Sequence, residues 1–341
     1  MLKRFLTLFL AVLMSVLLSV GVFAATKRNV MTCDWCGKKI ASNASFLRSE
    51  DKNFCSEKCF NQYAESQLPV CSVCGRHFQE GFTSNGKDFC SRACLETTFR
   101  ECAYCHRREP SGVLLGEKTF LCDYCRSLPA CSSCQMPLDK FAKDLGDGRK
   151  ICSACERIAV SSQFEAEKLM AALRQTLADR FKMSTDHTIQ FVLCNRNELK
   201  KESCGDGERE LGLFVVNWHT VTLFGRPVRD SSDYRILILN GQPPDNFRTV
   251  GAHELAHDWM EANLPHIEEP MIREGFAEFV SWAFAKSENM DRIPWNIEQN
   301  TDEVYGEGFR KVRKMMGDAR TAAKWKQILL KAYPAPAANK K

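Results

Sequence analysis

The chain opens on a sharp contrast between charged and apolar positions. Lys3 and Arg4 precede an apolar run from Phe5 to about Phe23, and the small residues of "VFAA" follow. That order predicts a secretory signal peptide over residues 1–24. An uncleaved N-terminal anchor is the other reading, because the run nearly reaches the roughly 20 residues that span a bilayer. Both readings predict an exported chain, periplasmic or secreted. After residue 160 the pattern becomes periodic. Phe164, Leu169, Ala172, Leu173, Leu177 and Phe181 recur at near-helical spacing. With Ser161 or Ser162 as a cap, they predict an amphipathic helix over 161–181. Apolar runs at 188–194, 211–216 and 234–240, set apart by glycines and charges, predict strands. Residues 247–263 read as a second helix, and Pro270 suits the first turn of a third. The tail 335–341 reads as a flexible end.

Cysteine changes the picture of the first half. Sixteen of the eighteen cysteines form four repeats. These are Cys33, Cys36, Cys55 and Cys59; Cys71, Cys74, Cys90 and Cys94; Cys102, Cys105, Cys122 and Cys125; and Cys131, Cys134, Cys152 and Cys155. Two residues between cysteines let both sulfurs of a tight knuckle face one ion. Two such pairs make a tetrahedral thiolate cage for zinc. Phe54, Phe89, Leu121 and Ile151 precede the second pair each time. In modules too small for a large core, they are expected to pack under the metal. Export would favour disulfides instead, but the paired-knuckle spacing is the one zinc requires. Cys194 and Cys204 belong to no module and either pair with each other or stay as thiols.

Composition and charge add exclusions. The 341 residues leave room for two or three domains, and a hydrophobic content of 44% argues against wholesale disorder. The net charge of +5 is small for this length. It points to no nucleic-acid partner and to no membrane contact beyond an uncleaved N-terminal segment.

The candidate chemistry lies in "HELAHDWMEANLPHIEEPMIREGFAEF", residues 253–279. His253 and His257 are four apart, so both imidazoles share one helix face and can meet one metal. Glu254 is turned about 100° from His253, where it can take a proton from zinc-activated water. A third ligand is needed. Glu261 is on the same helix and would have to bend back along its own axis. Glu268 and Glu269 lie in the connection before Pro270. The helix continues about six residues past His257, roughly 9 Å at 1.5 Å per residue. A returning helix needs a similar count, which reaches Glu274 to Glu278. These two are four apart and face the same way, so one can bind zinc while the other orients a histidine. His219 and His266 are expected on the surface or in loops.

Two resemblances extend this reading. The tandem cysteine modules resemble LIM domains, with treble-clef or ribbon character, although five residues separate Cys125 from Cys131 where LIM domains usually have two. LIM domains mostly bind proteins, so the resemblance implies a protein partner. "HELAHDW…REGFAEFVSW" is similar to glutamate-zincin aminopeptidases, in which the third ligand precedes Gly-Phe-Ala. That likeness assigns Glu274. The chain has no Gly-x-Met-Glu-Asn motif of the kind those enzymes use to hold a substrate amino terminus. "ELGLFVV", "YRILILNGQP", "VGAHELAHDWM", "REGFAEFVSW" and "VYGEGFRKVRK" resemble, in the same order, the plant ubiquitin-activated LIM peptidases that limit organ growth. This likeness runs from about residue 187 to 334. It implies a zinc endopeptidase with His253, His257 and Glu274 as ligands and Glu254 as base. Tyr305 lies in a matching segment, and its hydroxyl or Arg310 is a candidate for stabilising an oxyanion. The chain differs from that family in its export signal and in showing no ubiquitin-interacting helix.

The expected fold class is α+β. An array of LIM-like or treble-clef zinc modules (33–155) precedes a mainly helical zincin-type metallopeptidase domain with a small β-sheet (161–334). One catalytic and about four structural zinc ions are expected, with a protein or peptide as substrate. The competing class is a non-catalytic zinc-module adaptor with a degenerate peptidase domain.

Overall fold

The computed structural model describes Lys3–Arg4, residues 31–203, 208, 210–223 and 226–336. The expected signal peptide falls, apart from the backbone of Lys3–Arg4, outside the described residues, as do the last five residues. No helix among the described residues is long and apolar enough to cross a membrane. The architecture is α+β. The chain divides into two compact units: Met1–Glu101 with Arg107–Pro110, and Cys102–His106 with Ser111–Lys341.

Each cysteine module has one plan. A knuckle is followed by a two-stranded hairpin and then a short helix. The residue after the second cysteine has positive φ in every case: Gly37, Gly75, His106 and Gln135. This left-handed step lets its N–H reach back to the carbonyl of the first cysteine, at 2.9 Å in all four. The hairpins pair Leu47–Ser49 with Lys52–Phe54, Phe82–Ser84 with Lys87–Phe89, Gly112–Leu114 with Phe120–Cys122, and Lys143–Asp144 with Lys150–Ile151. Phe54, Phe89, Leu121 and Ile151 are buried. Phe54, Leu121 and Ile151 pack with the cysteines of their own modules. In the first two modules Ser56 and Ser91 then cap the helices that carry Cys59 and Cys94.

The second unit continues with helix α1 (Gln163–Phe181), strand β1 (Ile189–Cys194) and helix α2 (Arg196–Glu202). Strands β2 (Gly212–Leu223) and β3 (Arg226–Leu239) follow. The helices α3 (Pro244–Asn263), α4 (Pro270–Ser287), α5 (Arg292–Gln299), α6 (Gly308–Met316) and α7 (Ala322–Ala332) complete it. Ser162 caps α1, and Pro270 opens α4.

The sheet order is β1-β3-β2, with β1 parallel and β2 antiparallel to β3. The run "YRILIL" becomes the central strand because both of its faces are covered. Ile236 and Ile238 face the helices, whereas Leu237 and Leu239 meet Cys194 and Leu199. β2 and β3 run past their apolar stretches as a two-stranded ribbon whose register shifts at His219/Thr220.

Helices α1, α3, α4, α6 and α7 share one core. α1 lies close on α3 because position 251 is glycine; a Cβ there would sit 2.6 Å from the Met170 sulfur. Trp325 of α7 is sealed among Phe181, Phe276 and Phe279 at ring distances of 5.7, 6.0 and 5.3 Å. Trp325→Ala should cost about 3–5 kcal/mol. A urea melt should show this as a lower midpoint with an unchanged slope.

Candidate active site

Helices α3 and α4 form an antiparallel pair joined by six residues, and they bring the candidate ligands together. His253 Nε2 lies 3.1 Å and His257 Nε2 3.4 Å from Glu274 Oε2. One ligand atom from each of the three lies within 4.8 Å of the other two, so the group could hold one metal ion. Glu278, one turn along α4, stands 3.4 Å from the other nitrogen of His253, Nδ1. Burial by itself would lower the His253 imidazole, but its hydrogen bonds to the carboxylates of Glu274 and Glu278 outweigh it and raise it well above its usual value. Burial would likewise raise Glu274, yet the two histidines hold its carboxyl far below the ordinary range.

Glu254 is buried beside this group. Burial raises its carboxyl, against the pull of His253 and His257. The backbone of Phe214 in β2 also pulls the carboxyl down, as the smallest of these influences. Strand and helix meet this closely because position 212 is glycine; a Cβ there would stand 2.7 Å from Glu254 Oε1 and from Val250 Cγ1.

Tyr305 arrives from a single π-turn, Glu303–Glu307, capped by Asp302 through the N–H groups of Val304 and Tyr305. Its ring stacks on His253 with centroids 6.3 Å apart. Tyr305 is 38% exposed; its partial burial and then the Glu274 charge push the phenol up, so it stays protonated and can donate. The π-turn runs straight into α6, whose first residue, Gly308, meets α4 in a contact between glycines. A Cβ on Gly275 would fall 2.4 Å from the Gly308 carbonyl carbon.

Other candidates lie elsewhere. Arg310 donates to the Asn300 carbonyl at 2.7 Å, so its guanidinium holds the loop before the π-turn and is not directed at the histidines. His219 pairs with Asp233 on the exposed ribbon, and His266 meets the Tyr333 carbonyl. Cys194 is a buried thiol against the Ile238 carbonyl, and Cys204 lies outside the described residues. Sequence reasoning missed the buried Asp258, beside His257 in the chain. It accepts from Thr185 at 2.5 Å and pairs with His187 at 2.6 Å, tying α3 to the segment before β1. Its position in the motif carried no signal for this, because the partners lie about 70 residues upstream.

The four cysteine groups differ in kind from the histidine group. None of the sixteen sulfurs is in a disulfide. Neighbouring sulfurs stand 3.5–3.8 Å apart. A tetrahedron with zinc–sulfur bonds of about 2.3 Å has edges of about 3.8 Å, so the cages fit that ion. The first sulfur of each cage favours the thiolate, whereas burial and sulfur–sulfur hydrogen bonds push Cys55, Cys90, Cys125, Cys134 and Cys155 up. Burial would raise Cys33 and Cys102, but backbone N–H groups aimed at each sulfur outweigh it and bring both to about 6. The Cys74 N–H and its neighbours bring Cys71 to about 6. Hydrogen bonding from Cys134 and nearby N–H groups brings Cys131 to about 4.

With this geometry in hand, the chain can be compared with known proteins. It is 25% identical over 258 residues to Protein DA1-related 1 of Arabidopsis thaliana, covering 64% of this chain and 46% of that protein. It is 25% identical over 268 residues to LIM domain-containing protein HDR3 of Oryza sativa subsp. japonica, covering 67% and 53%. Protein DA1-related 7 of Arabidopsis thaliana is 22% identical over 315 residues, covering 73% and 56%. The chain is similar to the DA1-related, LIM-domain-containing proteins. It spans about half the length of these curated relatives. No family model and no solved structure matches.

The Gly275–Gly308 contact leaves no room for a methyl group. Gly275→Ala should cost about 1–3 kcal/mol through overpacking, read by calorimetry as a lower melting temperature. An unchanged melting temperature would contradict the contact.

Proposed function

We propose that this chain is a zinc-dependent peptidase whose cysteine modules are structural zinc sites. The observation that carries the reading is the convergence of His253, His257 and Glu274 within 4.8 Å, with Glu254 buried beside them. Two imidazoles and one carboxylate leave a coordination position open, the mark of a catalytic zinc site; four thiolates close the shell, the mark of a structural one. Zinc held by His253, His257 and Glu274 would supply Lewis acidity, lowering the pKa of water toward 7 and polarising a peptide carbonyl.

The chain's own groups supply the rest. Glu254, a raised carboxyl out of bulk water, accepts the proton of the attacking water and returns it to the leaving amine. The close approach of β2 at Gly212 keeps that carboxylate in place. Glu278 accepts from His253 Nδ1, which leaves Nε2 free as a ligand. Tyr305 donates its hydroxyl to the oxyanion that forms at the attacked carbonyl. The basic-then-apolar start of the chain supports export as the setting, and the LIM-like modules support a protein partner.

Glu254→Gln should keep its zinc and lose about 10²–10⁴-fold in cleavage of an internally quenched peptide. Equal loss of zinc and fold would make Glu254 structural and favour the adaptor reading. The five candidate groups predict five zinc ions per chain. Glu274→Ala should release one of them. Glu278→Ala should weaken that site by about 10–100-fold. The opposite ranking in a zinc titration would exchange the two roles. Tyr305→Phe should lower kcat by about 10²-fold with KM little changed.

A further inference from the structure

The fourth cysteine module sits in the same compact unit as the helices, and its metal knuckle touches their framework directly. Ser133, between the ligands Cys131 and Cys134, donates its hydroxyl to the Gly241 carbonyl at 2.6 Å. The Ser133 carbonyl accepts from Asn246, in the first turn of α3, at 3.4 Å. The Cys134 carbonyl accepts from Arg292, the first residue of α5, at 2.5 Å. From the same module Arg149 donates to both oxygens of Asn240 at 2.9 and 2.6 Å, and the buried Asp147 takes the Arg196 N–H at 2.7 Å. Asn246 is two turns before His253 on one helix. α5 leads into Asn300, whose carbonyl packs on Gly306 beside Tyr305. The junction also borders an open polar cleft of about 580 Å³, lined in part by Ser132, Gln135, Lys200 and Gln242. Hydrogen bonds therefore dominate it, and their geometry depends on the shape of the knuckle.

We propose that the fourth module is a positioning element of the catalytic domain. Its knuckle, shaped when Cys131, Cys134, Cys152 and Cys155 hold a metal, fixes the entry of α3 and α5 and so the placing of His253 and Tyr305. Ser133, Arg149 and Arg292 are positioning residues, remote from the reacting atoms. The effect on turnover rests on the peptidase reading; the effect on α3 does not.

The test uses the full chain loaded with zinc. Ser133→Ala combined with Arg149→Ala should keep five zinc ions per chain. It should speed amide hydrogen exchange in the first turns of α3 by about tenfold or more, without a matching change in α7. If the wild type cleaves peptides, kcat should fall by about tenfold with KM within twofold. Ser133→Thr keeps the hydroxyl and should restore exchange and kcat toward wild type. If the double variant does not fold, Ser133→Ala alone decides by the same exchange measurement. Exchange in α3 within twofold of wild type would overturn the proposal, as would a uniform rise across α3 and α7. A wild type that cleaves nothing would count against the peptidase reading and leave the exchange result to decide this one.

Discussion

Helix α4 is held at backbone distance from the segment that carries Tyr305. Gly275 lies against Gly308, and no side chain separates them. This approach has a chemical consequence because Gly275 directly follows Glu274. Whatever seats the π-turn also sets the distance between the Glu274 carboxylate, the His253 ring and the Tyr305 phenol. Gly251 and Gly212 play the same part on the other sides of α3, letting α1 and β2 come close. The site is thus bordered by helices and a strand at separations that only glycine allows, and its carboxylates and imidazoles are partly withdrawn from water.

That partial burial explains the electrostatics. Glu254, Glu274 and Glu278 share a small, partly buried space with two imidazoles. Burial would neutralise such carboxylates unless opposite charge compensates them. The two histidines do so for Glu274, which stays ionised, while Glu254 is raised by burial. Two carboxyl groups with different environments are thereby suited to two tasks, ligand and base. A divalent cation would add the positive charge that this acidic surrounding favours.

The modules show a different solution to a similar problem. With little apolar material, each knuckle gathers backbone N–H groups around its first sulfur, which favours the charged form of that one sulfur. The left-handed residue after the second cysteine makes that gathering possible. Glycine fills this position in the first two modules, whereas His106 and Gln135 adopt it in the last two.

Much of this was legible along the chain. The cysteine spacing specified four cages, because two intervening residues are what a knuckle needs. The four-residue spacing of His253 and His257 specified a shared helix face, and the count of residues from His257 to Pro270 narrowed the candidates for a third ligand to Glu274 and Glu278. Periodicity located α1 and the strands, although the outer ribbon of β2 and β3 escaped it, since pairing there follows hydrogen bonds and not an apolar face. Tertiary structure alone decided the rest. Which carboxylate meets Nε2 and which meets Nδ1 depends on how α4 is rotated and how closely it approaches α3, and side-chain spacing contains neither quantity. Gly212, Gly275 and Gly308 matter for the side chains they lack, and a sequence does not say what would have clashed. The place of the fourth module was likewise invisible, because its contacts with Asn240, Asn246 and Arg292 join residues about 90 to 160 positions apart through hydrogen bonds that no local pattern encodes.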